Sequence, residues 1–169
     1  LKVCKNPNDM EARQKMHDAS CLAGIAFSNA GLGLNHGMAH TLGGHFHIPH
    51  GRANGILLPY VMAFNAGCHD GLTPVAERYA QIAEVLRLEG PSVRQSAFSV
   101  VRTTKQYIHQ LHIPNTIEAA GIAREDFEAA LDEMAEAAYN DSCTRTNPRA
   151  CSVEDIKDVF QRAYTGKLI

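Results

Sequence analysis

The sequence predicts an all-α fold, a bundle-like domain of about six or seven helices occupying residues 1–169 as a single unit. Three observations predict it. Apolar residues recur at spacings of three and four through most of the chain, and capping residues and Pro or Gly stops frame the segments that carry them. No alternating apolar and polar run of useful strand length occurs.

The first helix is expected over Asn8 to Asn29, opened by Asn8 and Glu11 at capping-box spacing and free of Pro and Gly until Gly24. Its second half, from Ala19 to Ala30, is dominated by small residues, which let another backbone or a ligand come close. Gly31-Leu32-Gly33 leads into a second helix over residues 35–42, which Gly43-Gly44 interrupts before Pro49. A third runs from His50 to Asn65, kinked at Pro59, whose ring opposes the carbonyl of Gly55. Thr73-Pro74 and Gly90 read as the start and stop of a helix over 74–89. Val93, Ala97, Val100, Val101, Thr104, Ile108 and Leu111 make a helical stripe that Pro114 ends. Phe127, Leu131, Met134 and Ala138 make another, and Ser152 with Asp155 caps a last helix bearing Ile156, Val159 and Phe160.

Length and composition are those of one globular domain, with 45 % hydrophobic and 20 % charged residues and a net charge of -2. Lys and Arg are scattered, which leaves no seat for nucleic acid. The longest apolar run, Ile56 to Phe64, is broken by Pro59 and falls short of the roughly 20 residues that span a bilayer. Five cysteines without CxxC spacing point to a reducing compartment, and the N-terminus has no signal pattern, so a cytoplasmic location is expected.

Five of the nine histidines, His36, His40, His45, His47 and His50, fall within residues 36–50 among mostly apolar and glycine neighbours. Neutral imidazole is the commonest transition-metal ligand at physiological pH. On a helix His36 and His40 lie one turn apart on one face, and a turn before His50 can bring it back towards His36. A lone histidine is more often packed or solvated than functional; His45 and His47, on a short His-Phe-His-Ile alternation, are expected on its solvent face. His36-Gly37-Met38-Ala39-His40 has metalloprotease spacing, but Gly37 stands where the general-base Glu must be. Gly31-x-Gly33 starts like a dinucleotide fingerprint, but His36 occupies the third glycine position. Between Asp18 and Asp70 there is no carboxylate, and Arg52 is the only full charge. A catalytic iron site generally joins His to a carboxylate, so that ligand must come from elsewhere. Residues 19–66 are expected to be largely buried, as the wall of a cleft or interface.

The stretch Ala26 to His40, continuing through Phe46-His47-Ile48-Pro49-His50-Gly51-Arg52-Ala53-Asn54 to Leu57-Leu58-Pro59, closely resembles the second signature of the iron-containing (group III) alcohol dehydrogenases. It is nearest to the propanol, ethanol and propanediol dehydrogenase branch. Thr144 to Arg149 before the last helix also resembles that family's C-terminus. The resemblance implies the helical C-terminal domain of the dehydroquinate synthase-like fold, packed against an N-terminal nucleotide-binding domain with the active site between them. It implies an NAD(P)-linked oxidoreductase that interconverts a short-chain alcohol and its aldehyde, with Fe²⁺, or Zn²⁺ in its place. By motif position His36 and His50 match two metal ligands. His40 matches a histidine beside the nicotinamide with a proton-transfer role, and Phe27 and Cys143 match positions lining the substrate pocket.

The family's other two ligands are an Asp and a His separated by three residues upstream of this motif. Here Asp9 is followed at that spacing by Arg13, and Asp18 by Leu22. The pyrophosphate loop is absent too. The expectation is an N-terminally truncated metal-binding domain, without its nucleotide-binding partner and inactive alone. Two alternatives stand beside it: a freestanding helical module that holds metal without catalysis, and a domain whose open interface drives homo-oligomerisation.

Overall fold

The computed structural model describes residues 1–168, and among the described residues every regular element is helical. A short turn, α1 (Lys2–Lys5), precedes seven longer helices: α2 (Met10–Ala30), α3 (Gly33–Phe46), α4 (His50–Ala66), α5 (Val75–Leu86), α6 (Val93–Gln110), α7 (Arg124–Asn140) and α8 (Val153–Thr165). Single 3₁₀ turns lie at Glu118–Ala120 and Thr144–Thr146. None of the helices is long and apolar enough to cross a membrane.

The organising element is α4. It carries one full charge, Arg52, in its first turn, and a helix apolar on nearly all sides has to be enclosed. Its first half joins α3, α7 and α8 around Leu34, Met38, Leu42, Ile56, Leu57, Tyr60, Met134, Ile156 and Phe160, each 1 % exposed or less. Its second half supplies Met62, Ala63 and Ala66 to a smaller core with Ala76 and Ala83 of α5 and Ala97, Val100 and Val101 of α6. Pro59 sits inside α4 without ending it. Next to it Tyr60 is buried, its hydroxyl donating to the Asn115 carbonyl at 2.6 Å.

The stripe Phe127, Leu131, Met134 and Ala138 is buried along α7, as its spacing predicts. The Ser152 hydroxyl accepts from the Asp155 amide while the Asp155 carboxylate accepts from the Ser152 amide, closing the capping box of α8.

Four local expectations are corrected. The cap of α2 is Asp9 rather than Asn8, its carboxylate accepting from the Ala12 amide at 2.9 Å. Helix α3 continues through Gly43-Gly44 to Phe46, because the burial of Leu34, Met38 and Leu42 outweighs the low helix propensity of glycine. Helix α5 ends at Arg87 (φ +55°), whose amide and that of Leu88 close on Glu84 and Ala83; Gly90 instead hydrogen-bonds Ser96 of α6. The hydroxyl of Thr73 donates to the Asn65 carbonyl rather than capping α5.

The expected burial of residues 19–66 holds only for its second part. Helix α2 has no buried residue, and Met16, Leu22, Ile25 and Phe27 are 59, 66, 59 and 45 % exposed. The reason is geometric. The side chains of α2 find no core among the helices of this chain, whereas α3 and α4 pack on each other and on α7.

Candidate active site

Helix α3 presents His36 and His40 one turn apart, and it ends on His47 in the left-handed region (φ +53°). The turn through Ile48 and Pro49 reverses the chain at once, so α4 starts on His50. The three imidazoles converge. Ring centroids are 5.2 Å apart for His36 and His50, 5.4 Å for His40 and His50, and 6.2 Å for His36 and His40. The rings of His40 and His50 are nearly parallel, at 23°. His45 and His47 are exposed; His45 lies on the last turn of α3, facing Glu133 of α7 at 3.8 Å and the ring of Phe46.

Hydrogen bonds orient the cluster from both sides. Asn35 donates to the side-chain oxygen of Asn54 at 2.8 Å, and Asn54 donates to His50 Nε2 and to the His50 carbonyl, each at 3.1 Å. An amide nitrogen can only donate, so Nε2 of His50 is the acceptor here, and a metal taking that lone pair would displace the Asn54 amide. Burial pushes the pKa of His36 below its ordinary value, and the neighbouring imidazoles of His50 and His40 push the same way against Asp141. The shift favours the neutral form of His36, the form that offers a lone pair to a metal.

A carboxylate does reach the cluster, from a part of the chain that the histidine motif gave no reason to examine. Asp141, just beyond the end of α7, accepts from His40 Nδ1 at 2.8 Å across 101 residues of sequence. Its other oxygen accepts from the Cys143 amide at 2.7 Å. Burial pushes its carboxyl up, but the hydrogen bonds from His40 and from the Cys143 amide outweigh this and hold it below the usual carboxylate range. Burial, and then the adjacent Asp141, push the Cys143 thiol up. The ligating atoms of His40, Asp141 and Cys143 lie within 4.8 Å of one another. Cys143 is thus brought to the histidines, while Phe27 stays on exposed α2. The one sequence signal for Asp141 is its place two residues before Cys143.

The segment Asp141–Asn147 is fitted to the start of α3. Leu32, the cap position, contributes no side-chain bond, so the orphan amides of Gly33 and Leu34 are taken by Thr146 Oγ1 at 3.1 Å and by the Asn147 side chain at 3.2 Å. Asn147 also exchanges paired amide hydrogen bonds with Asn65 of α4, and Arg149 donates to the Phe64 carbonyl while stacking on the Phe64 ring. Glycines make the close fit possible. A Cβ at Gly37 would lie 2.2 Å from Thr144 Oγ1, and one at Gly31, where φ is +83°, 2.3 Å from Thr146 Oγ1. The near-fingerprint Gly31-x-Gly33 and the glycine that breaks the metalloprotease pattern therefore share one structural purpose, admission of this segment.

Comparisons with known proteins agree on the family. The model described as "Fe-containing alcohol dehydrogenase family, C-terminal" matches residues 1–164. The chain is 42 % identical over 158 residues to an NADPH-dependent butanol dehydrogenase of Clostridium saccharobutylicum, covering 94 % of this chain and 39 % of that protein. It is 40 % identical over 151 residues to a 1-propanol dehydrogenase of Salmonella typhimurium, covering 88 % and 40 %. Its fold matches an alcohol dehydrogenase from Oenococcus oeni with a TM-score of 0.85 at 37 % identity, covering 96 % and 40 %. The chain thus spans about two fifths of the length of these proteins.

Proposed function

The chain belongs to the iron-containing alcohol dehydrogenase family, as its C-terminal part, and from that membership we propose that it supplies the metal-holding wall of the active site in an enzyme interconverting a short-chain alcohol and its aldehyde. The observation that carries this reading is the convergence of His36, His40 and His50 on one face, with ring centroids within 6.2 Å, in a stretch devoid of acidic side chains.

The residues present fit a divalent metal in donor type. His36 and His50 would hold it, together with ligands from outside the chain, since Asp141 is already engaged by His40 and Cys143. A bound Fe²⁺ would supply Lewis acidity towards the alcohol oxygen, and NAD(P), held by a nucleotide-binding domain outside the chain, would take the hydride. His40 is placed to move the alcohol proton, because it is 42 % exposed and borders both His50 and the Asp141 carboxylate. Cys143, and Phe27 once α2 is covered, would line the substrate pocket. The open apolar side of α2 is the surface against which the rest of the protein would lie.

The test is metal content in the protein that carries the nucleotide-binding part together with this chain. His36→Ala and His50→Ala should each lose the metal by elemental analysis while His40→Ala retains it. Full retention in either of the first two would sink the ligand assignment.

A further inference from the structure

We propose that Asp141 is a positioning residue for His40, holding its imidazole in the Nδ1–H tautomer so that Nε2 is the nitrogen that receives and passes on the proton. This rests on the reading of His40 as the proton relay.

The geometry argues it in three steps. A carboxylate with its pKa held low is an acceptor only, so the 2.8 Å contact between Asp141 Oδ2 and His40 Nδ1 places the proton on Nδ1 and the lone pair on Nε2. Asp141 is itself immobilised. Its side chain is 19 % exposed, against 42 % for His40, and its second oxygen is tied to the Cys143 amide at 2.7 Å. Thirdly, the ring of His40 is held from its other side by the stacked ring of His50, so plane and tautomer are fixed by different partners. The absent side chain of Gly37 is what lets α3 approach this closely: a Cβ there would lie 2.2 Å from the hydroxyl oxygen of Thr144, three residues beyond Asp141.

In the oxidative direction the alcohol O–H bond would break as its proton goes to His40 Nε2, and the electron pair left on oxygen would form the C=O bond as the carbon gives its hydride to NAD(P). The resulting imidazolium keeps its Nδ1–H bond to the Asp141 carboxylate, whose negative charge stabilises it without taking the proton. The Nε2 proton then passes to water. In the reductive direction the same nitrogen returns a proton to the oxygen.

Asp141→Asn separates positioning from simple packing. The Asn oxygen can still accept from the Cys143 amide, which turns its NH₂ towards His40, where it can only donate and so reverses the tautomer. Nitrogen-15 NMR of the imidazoles in this chain, free of metal, should show His40 as Nδ1–H in the natural sequence and as Nε2–H in Asp141→Asn, with the urea midpoints matched. In the protein with its nucleotide-binding part, the same variant should keep its metal and its KM while kcat falls by about 10²–10⁴-fold. An Nε2–H tautomer in the natural chain, or an undiminished kcat in Asp141→Asn, would overturn the proposal alone. An undiminished kcat in His40→Ala would instead overturn the relay reading and, with it, the proposal.

Discussion

Residues 19–30 of α2 and the two helices that follow are written in nearly the same alphabet, small and apolar with Arg52 as the one full charge, yet they meet opposite fates. Helix α4 buries eleven of its 17 residues, and α2 buries none. A lack of charge therefore says that a surface is suited to being covered. It does not say that the same chain supplies the cover. On the proposed reading α3 and α4 are enclosed by their own domain and α2 by the remainder of the protein.

The comparison can be broken most directly by paired truncations. Leu34→Ala, at 0 % exposure on α3, should cost about 2–5 kcal/mol in urea unfolding of the chain, whereas Leu22→Ala on α2, at 66 %, should stay within about 0.5 kcal/mol. An equal cost at both positions would mean that α2 is packed in solution. Paired glycines sharpen the contrast. Gly37→Ala drives a Cβ against Thr144, whose hydroxyl donates to the Ala138 carbonyl, and should cost about 1–3 kcal/mol. Gly24→Ala meets nothing within 4 Å and should stabilise the same fold by about 0.5–1 kcal/mol.

The smallest effect lies at the end of the packed region, just after α4. Burial first, and then the Arg162 guanidinium 3.3 Å away, lower the pKa of His69 from its ordinary 6.5. The folded chain resists a proton that the unfolded chain accepts, so this contribution is complete above pH 6.5 and is lost as the pH falls below it. His69→Gln should flatten the acid side of the stability profile, and an unaltered slope would show that His69 does not contribute to it.

What was legible in the letters was local. The Ser152/Asp155 box needs only four neighbouring residues to declare itself and the α7 stripe one continuous helix from Phe127 to Ala138, and both appear as expected. The meeting of His36 with His50 was legible because one short turn joins their helices. Asp141 was not, since its link to His40 spans 101 residues and carries no periodic mark. The unbroken run of α3 through Gly43-Gly44 was missed because glycine propensity weighs little beside three fully buried side chains. The exposure of α2 depends on how the other helices pair among themselves, which no pattern within residues 10–30 expresses.

The fit of Gly31 and Gly37 against Thr146 and Thr144 bears on how such a chain can vary and be recombined. A side chain gained at position 37 becomes tolerable only when position 144 gives up its bulk, whereas position 31, with φ at +83°, stays strained for any side chain whatever stands at 146. The order of change is therefore constrained: at the 37/144 pair the threonine must shrink before the glycine grows, and position 31 is held to glycine by its own backbone. A chimera joined anywhere between α3 and α7 would take its glycines from one parent and its hydroxyls from the other, and parents that had settled on different pairs would yield offspring with an ill-seated segment and a displaced Asp141.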